Sequence, residues 1–190
     1  MTNKILVIGD VMLDEYWYGT SNRISPEAPV PILLHEKTIE TGGMANNVYN
    51  NLLAFGSLLQ INILTNQELI VKERFIDLRS GQHIMRFDFG DSEKVKSLDL
   101  GLIGDIQGYD LVIVSDYNKG FIEEPQAREI CRKCTELEIP VFVDTKKNNI
   151  QCYQGAYVKV NKKESKSINC IFDEEKLIVT LGPEGAMWRG

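Results

Sequence analysis

Apolar and polar positions fall in blocks along the 190-residue chain. Short runs rich in valine, isoleucine and leucine recur at residues 5–9 (ILVIG), 61–65 (INILT), 111–115 (LVIVS), 141–144 (VFVD), 157–160 (YVKV) and 177–180 (LIVT). Several are too uniformly apolar to leave one face wet, which predicts central parallel strands covered on both sides. Helical spacing falls between them. Ala45, Val48, Leu52 and Phe55 share one face of a helix over 45–55, with Gly56 as its stop. Val95, Leu98 and Leu102 begin a second helix, and residues 123–138 form a third. Alternation of this kind predicts an α/β architecture built on a doubly wound, mostly parallel sheet.

Two stretches break the rhythm. Pro26, Pro29 and Pro31 punctuate RISPEAPVPILL, which excludes helix and suits an extended edge segment. Residues 74–89 alternate about Ser80-Gly81 and read as a hairpin. Together they predict a small β flap from about 14–40 and 74–89, belonging to a single α/β domain over 1–190.

Composition narrows the function classes. A net charge of −6 argues against a non-specific nucleic-acid binder, which needs a basic surface to displace counterions. No apolar run reaches the roughly 18 residues of a membrane span. The amino terminus, with one lysine and a short apolar run before its acids, reads as a strand and not as a signal peptide. The expectation is a cytoplasmic protein with neither nucleic acid nor membrane as partner. Cys131 and Cys134 make a C-x-x-C, but Ala127, Ile130, Cys134 and Leu137 lie on one helical stripe, so these cysteines read as reduced core thiols. His35 and His83 have no partner pattern.

Candidate chemistry gathers at the strand ends, where open parallel sheets bind ligands. The first apolar run ends in Asp10 and leads to Asp14. Later ones end in Ser115-Asp116, in Asp144 followed by Lys146 and Lys147, in Asn161 with Glu164, and in Thr180 before Gly182. Five polar ends on one rim predict a ligand cleft. In TGGMANNVYNNL, Gly42 and Gly43 precede a helix whose free N–H groups, with the amides of Asn46 and Asn47, suit hydroxyls or a phosphate. No P-loop or G-x-G-x-x-G occurs, so any nucleotide is held differently. Asp10 reads equally well as a cap for the turn that follows it, and Lys147 and Lys162 read as solvated charges.

The segments GDVMLDEYWYG, RISPEAPVPI, GGMANNVYN, MRFDF, SDYNKG, VFVDTKK, NKKE and VTLGPEGAMW occur in that order. This series resembles the ribokinase-like (PfkB-type) carbohydrate kinases. Within them it is most similar to the branch that phosphorylates D-glycero-D-manno-heptose 7-phosphate at C1 for ADP-heptose and lipopolysaccharide core synthesis. The resemblance implies a heptose phosphate as substrate, with ATP and Mg²⁺ as cofactors. It implies that Asp14, the Gly42-Gly43 backbone and Asn46 hold sugar hydroxyls, and that Arg86 on the hairpin contacts the sugar or its phosphate. Lys146 would lie near the nucleotide phosphates, in a motif where Thr145 replaces the family's proline. Asn161 and Glu164 would organise Mg²⁺ through water, and Thr180, Gly182 and Gly185 would begin the nucleotide bed. The aromatics and prolines of the flap would exclude water.

Two departures qualify that picture. Between Thr65 and Val71 the family carries a further helix and strand, where this chain has only NQELI. The family's Gly-Ala-Gly-Asp, whose aspartate is the general base, is not among these 190 residues, so no catalytic residue is assigned. Loss of a general base costs about 10²–10⁴ in rate. The expectations are therefore a carbohydrate kinase shortened at its carboxyl end or, alternatively, a catalytically deficient module that binds a sugar phosphate or a partner. Self-association as a homodimer, or association with a full-length kinase, is expected from the exposed edge such a shortened sheet would leave.

Overall fold

The computed structural model describes residues 2–91 and 95–188. It divides into two compact units, one of Met1–Asp10, Met44–Gln67 and Lys94–Gly190, the other of Val11–Gly43 and Glu68–Glu93. Among the described residues no helix is long and apolar enough to cross a membrane.

The first unit is built on a seven-stranded sheet. In chain order its strands are β1 (Asn3–Gly9), β4 (Leu59–Thr65), β7 (Leu111–Asp116), β8 (Val141–Thr145), β9 (Tyr157–Asn161), β10 (Leu177–Thr180) and β11 (Ala186–Trp188). Their spatial order is β11-β10-β9-β8-β7-β1-β4. The recorded ladders are parallel except the β10–β11 hairpin. Each predicted strand is present. β1 shows why: Ile5, Leu6, Val7 and Ile8 are all buried, which fits a strand covered on both faces, while its neighbour β7 buries Val112 and Val114 on one face and leaves Ile113 half-buried.

Farther along the sheet that expectation fails. In β8, Val141 and Val143 are buried while Phe142 between them is exposed, and β9 alternates likewise. Phe142 stacks on Tyr157 with ring centroids 4.9 Å apart on this half-wet face. The strands β8 and β9 therefore have one covered face, and their apolar residues on the other side cover one another.

Two helices of ordinary length serve this sheet. Helix α1 (Ala45–Leu53) ends two residues short of the expected residue 55, and Gly56 follows in the left-handed region with φ 65°. Helix α2 (Glu124–Glu136) starts with a proline in its first turn and buries Ala127, Ile130, Cys131 and Cys134 on one stripe. Burial pushes the Cys131 thiol up to about 12, and Cys134 and Cys152 up to about 11, so these are inert core thiols.

The helix expected from Val95 does not form. Val95 and Leu98 are buried, but their N–H groups donate to the carbonyls of Lys119 and Phe121, so the segment runs extended beside the 119–121 loop. Only a short 3₁₀ turn, Leu100–Ile103, follows, capped by Asp99. Asp99 competes locally for backbone N–H groups, and Gly101 and Gly104 weaken helix propagation.

The second unit is a four-stranded sheet in the order β3-β2-β5-β6, formed by β2 (Val11–Ile24), β3 (Pro31–Met44), β5 (Val71–Asp77) and β6 (His83–Phe89). The proline-rich stretch leads into edge strand β3, as its sequence requires. Strands β5 and β6 make the expected hairpin, with Gly81 at φ 68° in the turn. Trp17 packs on Phe75 at 6.0 Å, while Tyr16 and Tyr18 stack at 6.4 Å. Successive residues of a strand point to opposite faces, so these are two separate aromatic clusters.

Candidate functional site

Parallel pairing brings the polar strand ends of the first unit to one edge. Register aligns Gly9 with Ser115, Ser115 with Asp144, Asp116 with Thr145, Asp144 with Lys159, and Asn161 with Thr180. Asp10 follows directly after β1. Its Oδ2 accepts N–H bonds from Tyr117 at 2.7 Å and Lys119 at 3.4 Å, so it caps the loop after β7 and not the turn that follows it in sequence. Its Oδ1 is buried with no hydrogen-bond partner among the described residues. Burial, then the neighbouring Asp116 charge, raises the Asp10 pKa despite those two N–H bonds.

Beside it lies a fully buried carboxylate, Asp116. Its Oδ2 accepts from Thr145 Oγ1 at 2.9 Å, Tyr153 OH at 2.6 Å and Lys147 Nζ at 2.5 Å, and its Oδ1 from the Asn118 N–H at 2.8 Å. Lys147 Nζ also donates to the Ile122 carbonyl at 2.7 Å. Lys147 is therefore no solvated charge; its side chain is 11% exposed. A buried carboxylate demands a countercharge, and the lysine two residues past β8 reaches it by turning inward. Burial, followed by the Asp116 charge and hydrogen bond, pushes the Tyr153 hydroxyl well above its ordinary pKa and keeps it a donor. Lys162, by contrast, is exposed and 3.5 Å from Glu184.

This network fixes the loop carrying Lys146. The Lys146 N–H donates to the Asp116 carbonyl at 2.9 Å, and the Lys147 N–H to Thr145 Oγ1 at 3.1 Å. Thr145, in the place where the resemblance expects proline, thus restrains the loop with its hydroxyl. The Lys146 ammonium meets Glu164 at 2.7 Å and Asp144 at 3.7 Å, and lies 5.3 Å from the Tyr117 ring. Burial pulls its pKa down, but the Glu164 hydrogen bond and the two carboxylate charges outweigh it and leave it raised. Burial likewise raises Glu164, and the Lys146 bond with the Asn161 N–H outweighs that and leaves it lowered.

Asn161 and Glu164 form a capping box on α3 (Lys162–Ser165). Asn161 Oδ1 accepts from the N–H groups of Lys163 and Glu164, and Glu164 Oε2 accepts from the Asn161 N–H at 2.7 Å. Glu164 Oε1 is taken by Lys146. With these oxygens engaged and an ammonium alongside, the pair suits a cation reached through water and not one ligated directly. Among the described residues no cluster of three or more His, Cys, Asp or Glu is arranged to hold a metal. Thr180 Oγ1 contacts the Val160 carbonyl at 3.4 Å, and Gly182 and Gly185 bound the turn that follows, at φ 65° and 88°. Those angles favour glycine.

Asn46 lies in the first turn of α1, half-buried. This helix has no side-chain cap; its first N–H, from Ala45, donates to the Asp10 carbonyl at 3.0 Å. Its N-cap, Met44, is held at φ 56° and ψ −124°, a strained conformation for a side-chain-bearing residue. Gly42 and Gly43 belong to the end of β3 and not to the helix.

In the second unit Asp14 Oδ1 is ion-paired with Arg74, which the sequence reading did not single out. A Cβ on Gly43 would lie 2.7 Å from Asp14 Oδ2 and 2.9 Å from Met12 Cγ, so any other residue here has to displace the Asp14 carboxylate or the Met12 side chain. Arg86 is exposed and paired with Asp88 at 2.8 Å. A cleft of about 470 Å³ lies in the first unit between Asn118–Glu124 and Lys147–Asn149; Lys147 lines it, but none of the residues to which the resemblance gives a ligand role does.

No family model matches the chain. It is 33% identical over 232 aligned positions to the bifunctional protein HldE of a Nitratiruptor species, with 97% of this chain and 49% of that protein covered. Those positions outnumber the 190 residues here, so the relative carries segments this chain lacks. Among solved structures, the tetrameric inhibited form of phosphofructokinase-2 from Escherichia coli superposes with a TM-score of 0.62 at 13% identity, covering 98% of this chain and 76% of that one. Arabidopsis thaliana ribokinase complexed with ribose and ATP gives 0.58 at 10% identity, covering 98% and 74%. The chain has a ribokinase-like fold. This ribokinase-like chain spans about half the length of its HldE relative. Its polar edge at the carboxyl ends of β1, β7, β8, β9 and β10 is where such sheets bind ligands.

Proposed function

We propose that this chain contributes the sugar-phosphate and nucleotide-phosphate binding residues of an ATP-dependent carbohydrate kinase, and that the acceptor is the C1 hydroxyl of D-glycero-D-manno-heptose 7-phosphate. The reading rests chiefly on the 33% identity to an HldE protein across nearly the whole chain. The ordered polar edge, with Lys146 pinned from below by Asp116, supports it.

In this reading Asp14 accepts hydrogen bonds from sugar hydroxyls, the Gly42-Gly43 backbone keeps the approach open, and Arg86 meets the sugar phosphate. Asn46 and the uncapped N–H groups that begin α1 serve a hydroxyl or phosphate oxygen. Lys146 is a point charge for the nucleotide phosphates, and the turn from Thr180 through Gly182 to Gly185 begins the nucleotide bed. Mg²⁺ brought with ATP supplies charge neutralisation at those phosphates, and Asn161 and Glu164 would hold it through water. The residues assigned here bind and orient; none of them is a general base, and the proposed heptose chemistry relates to ADP-heptose and lipopolysaccharide core synthesis.

Calorimetric titration with D-glycero-D-manno-heptose 7-phosphate tests the reading, with ADP release in the presence of MgATP as a second readout. Saturable binding in the range of about 1 μM–1 mM, weakened at least about tenfold by Asp14→Ala, is the expected result. Absence of binding by the unaltered chain at millimolar sugar phosphate would refute it.

A further inference from the structure

The register of the four-stranded sheet sets Asp14 opposite Lys72 and Tyr16 opposite Arg74, and it sets Arg74 directly across from Arg86. Two guanidinium groups facing each other across a ladder repel. Each is relieved differently. Arg86 is 56% exposed and turns to Asp88 on its own strand. Arg74 is 20% exposed, lies 5.1 Å from the Tyr16 ring, and donates through Nη1 to Asp14 Oδ1, a carboxylate 16% exposed. Among the described residues, the other oxygen, Oδ2, accepts no hydrogen bond. It faces Gly43, where a Cβ would stand only 2.7 Å away.

We propose that Arg74 is a positioning residue for Asp14. Braced against Tyr16, its planar guanidinium holds Oδ1 and fixes the carboxylate plane, and Oδ2 is thereby left to accept a hydroxyl of the bound sugar phosphate over Gly43. The inference rests on the reading of Asp14 as the sugar-binding acid and adds the group that orients it. A lysine could supply the charge but not the planar fork that sets the carboxylate's rotation. Arg74 thus acts through Asp14, whereas a guanidinium that touched the sugar's phosphate would act independently of it.

A double-mutant cycle separates these roles. The affinity for D-glycero-D-manno-heptose 7-phosphate is measured by calorimetry for the unaltered chain, Arg74→Gln, Asp14→Asn and the double variant, with MgADP affinity and thermal melting as controls for folding. The expected result is a loss of about tenfold for Arg74→Gln, equivalent to about 1.4 kcal/mol, with the double variant within twofold of Asp14→Asn alone and MgADP affinity unchanged. Arg74→Lys, the milder variant should the glutamine protein melt early, loses about threefold with the same non-additivity. An Arg74→Gln affinity equal to that of the unaltered chain overturns the inference while leaving the proposed function standing. Losses that multiply in the double variant overturn it in favour of a direct phosphate contact. Failure of the unaltered chain to bind removes the proposed function and this inference together.

Discussion

Replacing Lys147 by methionine removes the cation paired with Asp116 while keeping most of the side-chain stem. The carboxylate is fully buried and would retain three neutral donors, Thr145 Oγ1, Tyr153 OH and the Asn118 N–H, while the Ile122 carbonyl would lose the Nζ that now serves it. Breaking a buried ion pair from one side costs about 3–5 kcal/mol, and three surviving donors place this case near the lower end, about 3 kcal/mol. The two tryptophans of the chain, Trp17 and Trp188, lie in different units, so a Trp17→Phe background lets Trp188 report on the unit that holds the pair. With a urea slope of about 2 kcal/mol/M, the midpoint should fall by about 1.5 M in Lys147→Met. Adding Asp116→Asn should recover at least half of that loss, because the charge left without a partner is gone. A midpoint change under about 0.3 M, or a double variant less stable than Lys147→Met, would refute the assignment of Lys147 as a buried structural cation.

Three further outcomes follow from the same geometry. Asp10 has a raised pKa in the folded chain, so the folded state holds its proton more tightly than the unfolded one, and the stability this confers is lost as pH rises through the folded value. Asp10→Asn should therefore gain on the unaltered protein between about pH 4 and pH 7 in urea titrations, and a constant or shrinking gap over that range would contradict it. Glu164 has a lowered pKa, so its contribution is present above the ordinary value of 4.5 and lost as pH falls through the folded value. Glu164→Gln, which keeps the capping box, should cost about 0.5–1 kcal/mol at pH 7 and progressively less as pH falls below 4.5, and a cost independent of pH would place its effect in the cap instead of the Lys146 pair. Gly43→Ala should cost about 1–3 kcal/mol or displace Asp14, read as lost thermal stability and weakened sugar-phosphate affinity; unchanged values in both would show that the 2.7 Å approach is not a constraint.

What the sequence disclosed and what it hid divide along physical lines. The strands of the large sheet were legible because runs such as ILVIG and LVIVS meet the demand of a buried parallel strand within five consecutive residues. Helix α2 was legible because its apolar stripe has a 3.6-residue period and a proline marks its start. Residues 95–102 mimic that period with Val95, Leu98 and Leu102, yet the first two are buried by pairing with the 119–121 loop and Leu102 is left exposed. Spacing alone does not distinguish a helical stripe from an extended segment with two anchored side chains. The polar strand ends were legible since each acid or amide closes an apolar run. Arg74 and Lys147 were not, because their partners Asp14 and Asp116 lie 60 and 31 residues away, and only the folded register brings them together. For Arg74 only a partial signal existed: the hairpin brings it near Arg86, but strict pairing about Ser80-Gly81 sets Phe87 opposite it, and the Arg86 pairing follows from the irregular register between Phe75 and Ile76. Lys147 carried no such signal, since a lysine after a strand is most often solvated.

Two sets of backbone amides, followed by ¹⁵N–¹H correlation spectroscopy during separate titrations, test the proposed site most directly. D-glycero-D-manno-heptose 7-phosphate should shift the amides of Asp14, Gly42, Gly43, Asn46, Arg74 and Arg86, and MgADP should shift those of Lys146, Asn161, Glu164, Gly182 and Gly185. If saturating sugar phosphate leaves the first set unmoved, the proposed carbohydrate site is contradicted.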